Sequence, residues 1–127
     1  MASILIIDDE ADVRAVIGGA LRMAGHEILS APDGAEGLAI MRSPAGKDVR
    51  LVITDILMPE KEGLETIRDL KSEYPDVRII AMSGGGKLLK STSHFFTADE
   101  LGAHAVLRKP FDTKALLDSV RTALAPG

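Results

Sequence analysis

Two stretches decide the fold: Ile4-Leu5-Ile6-Ile7-Asp8-Asp9-Glu10 and Leu51-Val52-Ile53-Thr54-Asp55. Each is a short, almost unbroken apolar run that stops abruptly at a carboxylate. A strand with one wet face alternates apolar and polar residues, whereas a run without alternation fits a strand buried on both faces, as in a parallel sheet covered by helices. Residues 77–82, apolar around Arg78 and followed by Ser83 and three glycines, read the same way. So does Ala105-Val106-Leu107, which ends in Arg108-Lys109-Pro110. Residues 27–31 form a weaker fifth run, expected nearer a sheet edge.

Helical spacing fills the intervals. Val13, Val16, Ile17, Ala20 and Leu21 follow the i, i+3, i+4, i+7, i+8 rule of one buried face, and Gly25 supplies a stop. Asp33 is placed to cap a second helix carrying Ala35, Leu38 and Ala39, closed by Ser43-Pro44-Ala45-Gly46. Leu64, Ile67 and Leu70 predict a third helix ending before Pro75, and residues 91–102 a fourth. Asp112 is placed to cap a last one with Leu116, Leu117, Val120 and Leu124 inward. Five βα units in succession imply an open, doubly wound α/β domain with a five-stranded parallel sheet and right-handed crossovers.

The composition narrows the function. The chain has 127 residues, 46% of them hydrophobic, with 15 Lys and Arg against 19 Asp and Glu. That length predicts one domain over residues 1–127 and no output domain, so the output is expected to be a contact with another protein. The absence of a basic excess argues against nucleic acid as a partner. With Tyr74, Phe95, Phe96 and Phe111 as the only aromatics, a base-stacking surface is not expected either. Without cysteine there is no disulfide, thiol nucleophile or cysteine metal site. No apolar run approaches the roughly 20 residues of a membrane span, and no basic leader precedes Ile4, so a cytoplasmic protein with no membrane partner is expected.

In doubly wound sheets ligands bind beyond the carboxyl ends of the strands. Parallel strands would bring Asp8, Asp9, Asp55, Ser83 and Lys109 to that one edge. Three carboxylates together repel one another unless a cation is present. A hard divalent ion with oxygen ligands suits them, and Mg²⁺ is the usual choice where phosphate is also bound. Lys109 adds a fixed positive charge and the Ser83 hydroxyl a donor. A carboxylate so placed is equipped to attack phosphorus and form an aspartyl phosphate.

Asp8-Asp9, the Asp55-Ile56-Leu57-Met58-Pro59 segment with Gly63, Ser83, and Lys109-Pro110-Phe111 resemble, in order and over nearly the whole chain, the motifs of response-regulator receiver domains. The resemblance implies a flavodoxin-like sheet of order 2-1-3-4-5 with five helices. It also implies Asp55 as phosphoacceptor, Mg²⁺ held by Asp8, Asp9, Asp55 and the Leu57 carbonyl, and Lys109 and Ser83 on the phosphoryl group. A cis bond at Lys109-Pro110 is a further expectation. The implied partners are a sensor histidine kinase or histidine phosphotransfer protein as donor, and an unknown downstream protein. No enzyme activity is implied beyond the receiver's own phosphorylation and dephosphorylation.

Two departures from the family pattern stand out. Val106 occupies the position where receivers usually carry an aromatic switch residue, and valine has no ring to swing. Residues 83–91 lengthen the interval before Lys109, and residues 84–96, with Phe95 and Phe96, are read either as a phosphorylation-dependent partner surface or as an insertion whose phenylalanines anchor the next helix. Leu57 and Gly85 offer no side-chain acid or amide to an attacking water, so no accelerated dephosphorylation is expected. Two rival readings fail on required residues. A P-loop needs glycine where Ala81 stands and Ser or Thr where Leu88 stands, and a haloacid-dehalogenase-like phosphatase needs an acid at Leu57.

Overall fold

In the computed structural model, described over residues 2–56, 62–83 and 102–126, the apolar runs become five parallel strands: β1 (Ser3–Ile7), β2 (Glu27–Ala31), β3 (Val49–Asp55), β4 (Arg78–Ser83) and β5 (Ala105–Arg108). Their order is β2-β1-β3-β4-β5, as expected. The helices are α1 (Ala11–Met23), α2 (Gly34–Arg42), α3 (Glu62–Glu73) and α4 (Thr113–Leu124), with a 3-10 turn over Pro44–Asp48. The helix expected over residues 91–102 lies outside the described residues. Asp33 and Asp112 cap α2 and α4 as read, accepting from Glu36 N–H and Ala115 N–H at 2.8 Å each.

Alternate residues of each inner strand feed opposite faces of the sheet. Leu5, Ile7, Val52, Ile79 and Ala81 pack with Leu38 and Met41 of α2 and Ile67 and Leu70 of α3. Ile4, Ile6, Leu51, Ile53, Ile80 and Met82 pack with Ile17 and Leu21 of α1 and Leu116, Val120 and Ala123 of α4. This two-sided burial is why the strands read as unbroken apolar runs.

The helix faces are rotated from those expected. Val16 is 72% exposed, because α1 turns Gly18 toward the sheet, where Ile28 and Ile6 close in on it. On α2 the buried residues are Gly34, Gly37, Leu38 and Met41. Ala35 and Ala39 face out, since the bare Gly37 backbone lies against the Ile7 side chain. On α4, Leu117 and Leu124 are only partly buried, and Ala123 takes the inward place.

Two histidines prove structural at the amino ends of the edge strands. His26 precedes β2 and accepts the Ala2 N–H on Nδ1 at 3.2 Å, while Glu27 N–H donates to the Ala2 carbonyl at 2.9 Å. His104 precedes β5 and does the same to one residue of β4. Its Nδ1 accepts from Ile79 N–H at 2.9 Å, and its own N–H donates to the Ile79 carbonyl at 2.8 Å. Each imidazole thus satisfies a strand N–H that the ladder leaves over.

Both bonds require an unprotonated Nδ1. Partial burial lowers the His104 pKa below its ordinary 6.5, and the Arg78 and Lys71 charges lower it further. A depressed histidine contributes its full stability above its unfolded pKa and loses it as pH falls through the folded value. On acidification from about pH 7.5 to about pH 5.5, the wild-type Tm is therefore expected to fall more steeply than that of His104→Asn, whose amide oxygen keeps the acceptor without titrating. Parallel slopes in thermal melts would refute this.

Candidate functional site

The carboxyl edge of the sheet is held by three backbone bonds that continue the ladders past the strand ends. Asp8 N–H donates to Ala31 O at 3.2 Å, Ile56 N–H to Met82 O at 3.1 Å and Lys109 N–H to Ser83 O at 2.8 Å. These bonds fix the residues that follow β1, β3 and β5 relative to one another. The sequence-predicted set is thereby brought together. Asp8 is fully buried, Asp55 is 4% exposed and Ser83 2% exposed, while Asp9 stands at the surface.

One carboxylate oxygen from each of Asp8, Asp9 and Asp55 lies within 4.8 Å of the other two. The Lys109 ammonium bridges two of these acids, donating to Asp8 Oδ2 at 3.1 Å and Asp55 Oδ2 at 3.0 Å. Burial works against the charged ammonium. The hydrogen bonds and charges of Asp55 and then Asp8 outweigh it and hold the Lys109 pKa above the ordinary lysine value. The Lys109-Pro110 bond is cis.

The donor set fits a hard divalent cation: all oxygen, all anionic, and clustered beyond what one ammonium neutralises. The Ser83 hydroxyl is buried with no hydrogen-bond partner among the described residues, a donor in reserve for a further oxygen ligand. Leu57, expected to lend its carbonyl, lies outside the described residues, as do residues 84–96. Val106 is half-buried and packs on the α2–α3 side of the sheet.

Sequence reasoning missed Arg14, whose Nη1 donates to the Asp8 carbonyl at 2.6 Å. Its signal was its spacing, six residues after Asp8, which returns the first turn of α1 over the end of β1.

The family model described as the response regulator receiver domain matches residues 4–121. This chain belongs to that family. Receiver domains are the modules of two-component response regulators that are phosphorylated on aspartate. This chain is 37% identical over 123 residues to the DNA-binding transcriptional regulator NtrC of Azospirillum brasilense, covering 97% of this receiver and 24% of that protein. Among solved structures, a response regulator receiver domain protein from Clostridium thermocellum matches with a TM-score of 0.82 and 32% identity, covering 98% of this receiver and 94% of that chain. The chemotaxis response regulator CheY4 of Vibrio cholerae matches with a TM-score of 0.79 and 28% identity, covering 98% of this receiver and 99% of that chain. The receiver spans roughly a quarter to a half of the length of the first curated relatives it matches. Among the described residues, no helix is long and apolar enough to cross a membrane.

Gly63 sets how closely α3 approaches the site. A methyl group there would lie 2.5 Å from Ile56 Cα and 2.6 Å from the Asp55 carbonyl oxygen, both backbone atoms that cannot rotate aside. Gly63→Ala is expected to cost about 1–3 kcal/mol in denaturant unfolding, as overpacking does. Where the clash is relieved by a shift of the Asp55–Ile56 backbone rather than of α3, phosphorylation by acetyl phosphate should slow as well. An unchanged midpoint and an unchanged rate would refute the close approach.

Proposed function

We propose that this receiver accepts a phosphoryl group on Asp55 from a phosphohistidine, with Mg²⁺ held by Asp8, Asp9, Asp55 and the Leu57 carbonyl. The observation that carries the reading is the Lys109 bridge, a fixed cation 3.0 Å from one carboxylate and 3.1 Å from its neighbour. An Asp55 carboxylate oxygen attacks phosphorus as the bond to the donor imidazole nitrogen breaks, its electron pair returning to that nitrogen. Lys109 stands beside the nucleophile where negative charge on the transferring group is stabilised. The Ser83 hydroxyl donates to a phosphoryl oxygen, gaining the partner it otherwise lacks. When bound, Mg²⁺ supplies the positive charge that lets carboxylates and phosphoryl oxygens share one site.

The donor is a sensor histidine kinase or a histidine phosphotransfer protein. The chain acts as one domain in the cytoplasm, binds neither nucleic acid nor membrane, and signals through a separate protein. It transforms no outside substrate. After phosphorylation Ser83 moves toward the phosphoryl oxygens and the following segment repacks, shifting the population between two conformations.

Incubated with Mg²⁺ and acetyl phosphate, the protein is expected to gain a labile phosphoryl adduct by intact mass, and Asp55→Asn to gain none. Failure to form an adduct with any donor, phosphohistidine included, would leave a binding module that works without phosphorylation. Ser83→Ala is expected to phosphorylate more slowly than wild type, while an equal rate would remove Ser83 from the transfer. The adduct should outlast seconds without a partner.

A further inference from the structure

Arg14 lies in the first turns of α1, half-buried. A guanidinium beside three carboxylates has every electrostatic reason to pair with one. Its side chain instead donates to the uncharged Asp8 carbonyl at 2.6 Å, and among the described residues it makes no ion pair. The Arg14 guanidinium therefore occupies none of the carboxylate oxygens.

The bond closes a small box around Asp9. Glu10 N–H donates to Asp8 Oδ1 at 2.8 Å, an Asx turn with Asp9 at its centre. Arg14 N–H donates to the Glu10 carbonyl at 3.1 Å, and Asp8 N–H to Ala31 O at 3.2 Å. The Asp8 carbonyl and the Asp9 N–H share one rigid peptide plane, so pinning the carbonyl fixes the direction in which Asp9 leaves the chain. The Asp9 carboxylate is exposed and has no hydrogen bond or ion pair of its own among the described residues, so the clamp on its backbone, which sets where its side chain starts, is the constraint the structure shows on it.

We propose that Arg14 is a positioning residue for the cation site: it presets Asp9 alongside Asp8 without occupying a carboxylate oxygen. The inference rests on the reading of Asp8, Asp9 and Asp55 as Mg²⁺ ligands. Mg²⁺ demands near-octahedral geometry, whereas Ca²⁺ tolerates irregular ligand sets, so a loss of preorganisation falls mainly on Mg²⁺. The sign of the effect separates positioning from charge. If Arg14 acted only by its positive charge, removing it would tighten cation binding.

The test is calorimetric titration of the whole chain with Mg²⁺ and with Ca²⁺, alongside the metal-free Tm, for wild type, Arg14→Met and Arg14→Lys. Arg14→Met is expected to weaken Mg²⁺ binding by about tenfold or more, in the range typical for groups that orient a metal ligand. Its Ca²⁺ affinity should fall less, and Arg14→Lys should recover part of the loss. Unchanged or tighter Mg²⁺ binding overturns the proposal, and so does an equal loss for both ions. If Arg14→Met does not fold, Arg14→Gln makes the same comparison. A wild-type protein that binds no Mg²⁺ would instead sink the metal reading on which the inference stands.

Discussion

Asp8 carries a carboxylate with no solvent exposure, and Asp55 carries another with almost none, against the same few ångströms of space. Removing such charges from water is costly unless they are paired. The Lys109 ammonium between Asp8 and Asp55 is what makes the arrangement tolerable. Lys109 in turn reaches both acids because Lys109 N–H is bonded to Ser83 O, which ties the chain leaving β5 to the end of β4. The ion pair is local, but its geometry is a property of the whole parallel sheet.

Much of the remaining structure keeps that edge rigid. Apolar residues on both faces of β1, β3 and β4 leave the strand ends little freedom. Gly63 lets α3 press on the backbone of Asp55 and Ile56. At the opposite edge, His26 and His104 complete the ladders at Ala2 and Ile79. The two edges thus divide the work: one end of the sheet is closed by neutral imidazoles, and the other gathers charge.

The parts legible in the sequence were those set by burial on both faces and by strand direction. Ile4 to Ile7 ending in Asp8, and Leu51 to Thr54 ending in Asp55, fixed strands, parallel direction and site together, because a parallel sheet puts every carboxyl end on one edge. Helix faces were less legible. Val16 satisfies the spacing rule yet lies outside, since the rule sees side chains, whereas the contact that rotates α1 is made by Gly18, which has none. His26 and His104 are illegible for a related reason: their partners are the backbone N–H groups of Ala2 and Ile79, distant in sequence and silent in any side-chain pattern. Arg14 was hidden in the same way, because its partner is a carbonyl.

The charge count gains meaning from this geometry. The chain is four negative overall, with 19 acids against 15 bases, and three of those acids belong to the pocket. With Lys109 counted in the pocket, 16 acids face 14 bases outside it, so the excess divides equally between pocket and remainder. Within it, three carboxylates and one ammonium leave two negative charges, the deficit that a divalent cation matches. The Lys109 bridge by itself compensates only part of the repulsion, so the same carboxylates that limit stability are the ones a bound divalent cation would relieve. A pocket fully neutralised by protein cations would be more stable and would bind Mg²⁺ less well. The Arg14 guanidinium bonded to a carbonyl is consistent with that balance, since a second ion pair would have consumed the charge the cation needs.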